Sequence, residues 1–268
     1  MGSEQPDGAD QRVFDRILCG VGGSPAGVEA VRQAVRLQAP GGSMLLVSVA
    51  TPAAAAHPEA AVALEARSAA ALREAEREAG RACEARVLVG DPVACLMAVA
   101  SDERATLVAV GSHGTSRLGG ILVGSVATAV LHRAPCSVLI ARARRDLSAF
   151  PARIAVGIDG SESSRTALAV AGALGSRLDV PVGAVAASGA AADFKPPEEA
   201  MADLHVDERE PVDALLDAAR DCDLLVVGAR GLRGVRALGS VSERVAHRAL
   251  SSVLVVRGIP TATQASAA

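Results

Sequence analysis

An internal duplication constrains this chain of 268 residues more than any single motif does. Residues 107–111 (LVAVG) and 224–228 (LLVVG) begin equivalent segments, and each is followed by a glycine-rich loop. Residues 137–142 (SVLIAR) match 252–257 (SVLVVR), and 17–24 (ILCGVGGS) match 154–161 (IAVGIDGS). A repeated unit in a chain of this length predicts two similar domains, each large enough for its own core.

Short apolar runs alternate with helical segments through both copies. The first copy has predicted strands at 16–21, 44–49, 86–89, 107–110 and 136–141. The second copy has them at 153–158, 182–187, 204–209, 224–227 and 252–257. This alternation indicates parallel sheets with helices on both faces, that is, two tandem doubly wound α/β units of the Rossmann-like class.

Capping residues mark where several helices begin. Ser24-Pro25 and Asp91-Pro92 each combine an N-cap residue with a proline at the first helical position. Glu210, also before a proline, is predicted to start a helix in the second copy. Residues 59–79 are rich in Ala, Glu and Arg, which predicts a long helix.

The second copy is shorter than the first. Aligning Val49 with Val185 and Pro92 with Pro211 gives offsets of 136 and 119, so 17 residues are missing, corresponding to the helix at 59–79. Its polar third strand is therefore predicted to be an exposed sheet edge. The expected division is a flexible tail (1–12), a first domain (13–143), a linker (144–151), a reduced second domain (152–257) and a second flexible tail (258–268).

Composition argues against several classes of function. The net charge is only −3, Trp and Tyr are absent and Phe occurs three times, so neither charge nor base stacking favours nucleic acid. The first eleven residues lack the apolar core of a signal peptide, and no segment is long enough to span a membrane. We expect a cytoplasmic, soluble protein without a membrane partner. The five cysteines show no metal-ligand spacing and are predicted to be small buried thiols.

The glycine-rich loops are the candidate ligand sites. The first loop, 111–125, joins the carboxyl end of a strand to the amino end of a helix, where open α/β sheets bind ligands. Gly124 and Ser125 place backbone N–H groups at the positive end of the helix dipole, which suits an anion. We expect Gly111 and Gly114 to adopt positive φ and to approach the ligand closely. Glycines are also typical of plain strand-to-helix turns, and that alternative stays open.

Two tandem five-stranded units ending in G-x2-G-x9-G-S resemble the universal stress protein family over about residues 14–257. The resemblance implies strand order 3-2-1-4-5 in each copy, and ATP or another adenine nucleotide as ligand. It also implies an internal pseudo-dimer through the fifth strands, with a homodimer and unknown protein partners left open. The function it implies is that of a stress-responsive regulatory or interaction protein, without enzymatic activity.

The resemblance assigns nucleotide contacts by position. In the first copy they are Val49, Gly111, Gly114, Gly124, Ser125 and Val126. A less favoured set in the second copy comprises Asp159, Gly228, Gly231, Gly239, Ser240, Val241 and Ser242. The first copy has Gly22 where the family has an aspartate that contacts the nucleoside. The second copy retains Asp159, but it has seven residues between Gly231 and Gly239, where the first copy has nine between Gly114 and Gly124. Because several backbone donors must converge on the phosphates, we expect at most one nucleotide per chain, in the first domain.

Two alternatives to nucleotide binding by a regulatory protein remain. One is a scaffold in which both sites are degraded, and the other is a slow nucleotide hydrolase. No P-loop lysine, carboxylate pair or metal-ligand cluster supports the hydrolase, although His113 could give a proton to a phosphate. His132 and His247 are equivalent in the repeat and are predicted to cap the last carbonyls of their helices.

Overall fold

The computed structural model describes residues 13–51, 58–113, 123–143, 150–187, 204–229 and 238–258. The first half contains β1 (Arg16–Gly20), α1 (Pro25–Leu37), β2 (Ser43–Ala50), α2 (Pro58–Ala79), β3 (Glu84–Val89), α3 (Pro92–Asp102), β4 (Leu107–Gly111), α4 (Ser125–Arg133) and β5 (Ser137–Ala141). The second half contains β6 (Ile154–Ile158), α5 (Glu162–Leu178), β7 (Val182–Ala187), β8 (Leu204–Asp207), α6 (Pro211–Ala218), β9 (Leu224–Gly228), α7 (Ser240–Arg248) and β10 (Ser252–Val256).

Within these described ranges, ten strands form one continuous sheet in the order β3-β2-β1-β4-β5-β10-β9-β6-β7-β8. Within each half the neighbouring strands are parallel, in the order that the resemblance implied. The two halves meet at β5 and β10, which pair antiparallel with Leu254 opposite Leu139. The predicted α/β class and the predicted pairing of the fifth strands are therefore both present.

Apolar side chains fill a layer on each face of the sheet. Helices α1, α2 and α5 pack on one face, and α3, α4, α6 and α7 pack on the other. The strands at the junction of the halves are fully buried, since Leu139, Ile140 and Leu254 are each 0% exposed. We call this antiparallel junction the seam. On each face of the sheet, the seam joins the core of the first half to the core of the second.

Local capping explains why the helices begin where they do. Ser24 Oγ accepts a hydrogen bond from the Gly27 amide at 3.2 Å, and Asp91 Oδ1 accepts one from the Ala94 amide at 2.8 Å. Both predicted N-caps are confirmed. Glu210 occupies the N-cap position of α6 without a capping bond from its side chain.

The outer strand β8 lies at the edge of the sheet, as predicted, but it ends at Asp207 and not at Arg209. Asp207 is 7% exposed and accepts hydrogen bonds from Arg209, including one from Nε at 2.9 Å. These hydrogen bonds from the guanidinium lower the pKa of Asp207 to about 2. The predicted loss of a helix falls on 188–203, outside the described residues.

None of the five cysteines forms a disulfide, but not all are buried. Cys19, Cys136 and Cys222 are buried, whereas Cys83 and Cys95 are half-buried, so the prediction is wrong for those two. Burial raises the pKa of Cys222 to about 11, which keeps it protonated at neutral pH. Over the described ranges, no helix combines the length and apolar character that a membrane span requires.

Candidate functional site

Each half carries its candidate site at the carboxyl ends of its own parallel strands. Because β5 and β10 run antiparallel, the carboxyl ends of the two sets of strands, and with them the two sites, lie at opposite ends of the strands of the continuous sheet. Gly111 ends β4 in the first half, and Gly228 ends β9 in the second. The two sites can therefore be compared residue by residue.

Gly111 and Gly228 are required by close packing against a helix. A β-carbon at Gly111 would lie 2.5 Å from the carbonyl oxygen of Ala26, in the first turn of α1. A β-carbon at Gly228 would lie 2.5 Å from the carbonyl oxygen of Ser163, which is equivalent to Ala26. Neither glycine has a positive φ, so that expectation was wrong for Gly111.

Hydrogen bonds hold the two ends of the first loop together. The Ser112 amide donates to the Ala141 carbonyl at 2.8 Å, and the Ser112 carbonyl accepts from the Gly124 amide at 2.7 Å. Ser24 Oγ donates to the His113 carbonyl at 3.1 Å. The residues before 114 are thus fixed to β5 and to the start of α1, and Gly124, after 122, is fixed to Ser112. Gly114 falls in that range, outside the described residues.

The amino end of α4 is suited to an anion. Gly124 is its N-cap residue and has no side chain to occupy the amides of the first turn. Ser125 is exposed and Val126 is half-buried, while Val49 lies half-buried near the end of β2. At Gly22, where the aspartate is missing, a β-carbon would meet no atom within 4 Å. The first half therefore has space for a carboxylate that its sequence lacks.

The second half has a partly open cavity of about 190 Å³ at its candidate site. Most of the less favoured residues line it: Asp159, Gly228, Gly239, Ser240, Val241 and Ser242. Gly231 falls in 230–237, outside the described residues. The structure thus brings the strand-end carboxylate and the start of α7 to the wall of one cavity.

Local hydrogen bonds fix the orientation of Asp159. Its Oδ1 accepts from the Ser161 amide at 3.0 Å and from Ser161 Oγ at 2.6 Å. Its amide donates to Ser164 Oγ at 3.3 Å. These bonds organise the carboxylate before any ligand arrives, which reduces the ordering cost of binding.

Sequence reasoning missed the apolar wall of this cavity. β7 and α6 supply it through Val185, Ala187, Pro211, Ala214 and Leu215. It also missed Ser163, whose Oγ is buried and has no hydrogen-bond partner among the described residues. The repeat carries a sign of the difference, because the equivalent residue in the first half is Ala26. Buried unpaired hydroxyls are uncommon in folded proteins, and Ser163 lines this cavity.

The carboxyl ends of α4 and α7 are capped by arginines and not by the predicted histidines. Arg142 Nη2 donates to the Ala246 carbonyl at 2.7 Å, and Arg257 Nη2 donates to the Leu131 carbonyl at 2.6 Å. The His132 ring instead contacts Glu243, with Nε2 and Oε1 3.1 Å apart. The contact of His247 is through its backbone carbonyl, 3.3 Å from Arg142 Nη2. Arginine reaches these carbonyls from the other half of the molecule.

Among the described residues, no three His, Cys, Asp or Glu side chains lie close enough together to hold an ion.

Comparison with known proteins identifies the same family in both halves. A model described as the universal stress protein family matches residues 14–142 and 183–257. A universal stress protein of Mycolicibacterium smegmatis is 32% identical over 187 residues, which cover 59% of this chain and 63% of that protein. One of Mycobacterium tuberculosis is 31% identical over 184 residues, covering 57% and 62%. The matched regions therefore span less than two thirds of these relatives.

Among solved structures, a universal stress protein from Archaeoglobus fulgidus superposes with a TM-score of 0.72 at 21% identity. The match covers 91% of this chain and 98% of that one. At this level of identity it confirms the fold of both halves and not the ligand.

Proposed function

The chain belongs to the universal stress protein family, and from that premise we propose that it is a regulatory protein that binds adenine compounds. Its two halves divide the recognition. The first half takes the phosphates of ATP, and the second half takes a nucleoside such as adenosine. The cavity beside Asp159 is the observation that carries this proposal.

The chemistry of the cavity suits a nucleoside. Val185 and Leu215 offer apolar surface for a base, and Asp159 offers an acceptor for ribose hydroxyls. Its volume of about 190 Å³ is below the roughly 300–1,000 Å³ of sites for drug-sized ligands. The loop of the second half is two residues shorter than that of the first and so offers fewer backbone donors. A triphosphate therefore gains less binding free energy there.

The first half has the complementary set of groups. Its loop keeps the full G-x2-G-x9-G-S spacing, and α4 begins with a cap that leaves the first-turn amides available. Gly22 removes the carboxylate that would hold the nucleoside. Binding in this half therefore depends mainly on phosphate contacts, and we propose that it is weak.

We propose that neither half is an enzyme. Phosphoryl transfer requires an oriented water, neutralisation of the leaving phosphate and usually a metal. His113 is the only candidate acid in the first loop, and its ring lies 2.8 Å from Ser112 Oγ through Nδ1. Occupancy by ATP or nucleoside would instead regulate contacts with a protein partner in the cytoplasm.

Direct detection of the ligands tests the proposal. Small molecules released from the purified full chain are identified by mass spectrometry, and binding of ATP and of adenosine is measured by equilibrium dialysis. We expect Asp159→Asn to weaken adenosine binding about tenfold or more, the loss expected of one charge-assisted hydrogen bond. Asp213→Asn, at an exposed position on the outer side of α6, should leave it unchanged. The proposal would be contradicted if neither ligand were released from the purified chain and neither bound in equilibrium dialysis.

A further inference from the structure

We propose that the outer strand of the first half, β3, pairs antiparallel with β3 of a second copy of this chain. β3 stands at one end of the strand order, so among the described strands only β2 adjoins it. The interface would be made by its outward backbone groups and by its exposed side chains. This association does not depend on ligand binding and goes beyond the proposed function.

The backbone of β3 directs one set of hydrogen-bonding groups toward β2 and another set outward. The Gly90 amide, directly after the strand, donates to the Ala50 carbonyl of β2 at 3.0 Å. Because successive residues of a strand direct their backbone groups to opposite sides, the amides and carbonyls of Arg86 and Leu88 also face β2. The outward-facing amides and carbonyls belong to the alternate residues of the strand: Ala85, Val87 and Val89.

The side chains of these outward-facing residues form an apolar edge. Leu88 packs against the core on the face of α3, so the side chains of Val87 and Val89 lie on the face of α2. Val87 is 37% exposed and Val89 is 61% exposed. Exposed valines on a strand with an open hydrogen-bonding edge favour pairing with another strand.

The charges of β3 do not oppose this pairing. Arg86 Nη2 lies 2.6 Å from Glu84 Oε1, and Arg86 Nη1 lies 2.7 Å from Oε1 of Glu103, which follows α3. The guanidinium is thus compensated within its own chain. Because side chains alternate along a strand, Glu84 and Arg86 lie on the face of Leu88, opposite to that of the valines.

The other edge of the sheet, β8, is protected against pairing. It has four residues, whereas β3 has six. Asp207 at its end is buried and accepts hydrogen bonds from Arg209. Short edge strands and inward-pointing charges are devices that prevent edge-to-edge association. Pairing of β3 with β8 would also leave free edges and continue into an open filament, whereas two copies of β3 close into a dimer.

Two-fold symmetry and the outward-facing groups together select the register. In a symmetric antiparallel pair of identical strands, one residue lies opposite its own copy. If that residue is Val87, then Ala85 of each copy lies opposite Val89 of the other, and every outward-facing amide and carbonyl of β3 is bonded. Other registers place Arg86 opposite its own copy, where like charges repel, or leave part of the strand beyond the end of its partner.

Sedimentation equilibrium of the full chain without ligand measures the association. Pairing of one short strand buries little surface, so we expect a monomer–dimer equilibrium with a Kd between about 10 μM and 1 mM. Val87→Lys places two ammonium groups opposite each other and should weaken dimerisation about tenfold or more. Val206→Lys, at a 50% exposed valine of β8, is the matched control and should leave dimerisation unchanged.

Residue-resolved amide exchange, followed by NMR, tests the register. Raising the concentration of the chain should slow exchange at the outward-facing amides severalfold. The amides of Arg86 and Leu88 are already bonded to β2 and should change little. In Val87→Lys the exchange rates along β3 should no longer depend on concentration.

Thermal unfolding checks that each variant is folded, and Val89→Lys replaces Val87→Lys if that variant unfolds. A chain that stays monomeric up to 1 mM, on the order expected of weak interfaces, would overturn the proposal, as would a dimer that persists in folded Val87→Lys. Larger polymers that Val206→Lys disrupts would show pairing of β3 with β8 and would also overturn it. Because no ligand is present, failure of the proposed function would leave this result unaffected.

Discussion

The two halves share one fold but retain different parts of a ligand site. The first half keeps the long glycine loop and lacks the strand-end carboxylate, because Gly22 stands at its position. The second half keeps Asp159 and has a partly open cavity beside it, but its loop is two residues shorter. The comparison teaches that a duplicated unit can lose different functional groups in each copy while the strands and helices stay equivalent.

The same comparison separates structural glycines from functional ones. Gly111 and Gly228 are both retained, and each is pressed against the first turn of the first helix of its own half, α1 or α5. Packing alone accounts for them. The presence of the first motif glycine is therefore weak evidence for a ligand, whereas the carboxylate and the loop length distinguish the sites.

The largest expected effect lies at the seam that joins the halves. Leu139→Asp should lower the free energy of unfolding by about 4 kcal/mol or more, because it buries an unpaired charge at a fully buried position. Both halves should unfold in one transition, as followed by urea denaturation with hydrogen exchange. Val206→Asp, at a half-exposed position on the outer strand β8, is the control and should have little effect. Unfolding of the first half alone in Leu139→Asp would contradict a shared core.

The close packing of the strand-end glycines gives the next largest effect. Gly111→Ala and Gly228→Ala should each lower the free energy of unfolding by about 3 kcal/mol, because the backbone of α1 or α5 has to move. Gly22→Ala is the matched control, since a β-carbon there meets no atom within 4 Å. Equal stability of Gly111→Ala and Gly22→Ala, measured in urea, would show that the contact is not tight.

The open space at Gly22 allows the first half to be completed. Gly22→Asp should tighten ATP binding by about 1–2 kcal/mol, since it restores a charge-assisted hydrogen bond to the nucleoside. Calorimetry of ATP binding measures the gain, and Gly22→Asn controls for size without charge. No advantage of Asp over Asn would mean that the carboxylate does not contact the ligand.

The smallest effect concerns acid stability of the second half. The pKa of Asp207 is lowered from 3.8 to about 2 by its hydrogen bonds with Arg209. This carboxylate therefore adds stability above its ordinary pKa, and the contribution is lost as the pH falls toward 2. Asp207→Asn should lower the thermal midpoint at pH 5 more than at pH 2.5, whereas the exposed Asp213→Asn should not. An equal decrease at both pH values would contradict the ionic contribution.

Much of the fold could be predicted from the sequence because its determinants are local or periodic. Apolar runs located the strands other than the mostly polar β8 to within a few residues, and Ser24 and Asp91 marked their helices because N-capping acts within one turn. The pairing of β5 with β10 was also predictable, since two apolar strands at open edges need partners.

The candidate site was less predictable because its determinants are tertiary. Leu215 lies on a helix remote in sequence from Asp159, and only the fold brings both to one cavity. The prediction of which residues cap α4 and α7 was wrong for the same reason. Histidines at the helix ends were the local candidates, whereas Arg142 and Arg257 arrive from the opposite half.

The division of recognition between the halves is tested most directly by hydrogen–deuterium exchange of the full chain with ATP or with adenosine. We expect ATP to protect amides at 111–113 and 124–128 most strongly, and Gly114→Val to remove that protection. We expect adenosine to protect amides at 157–164 and 211–215 most strongly, and Asp159→Asn to reduce it. Strongest protection of the same half by both ligands would contradict the division.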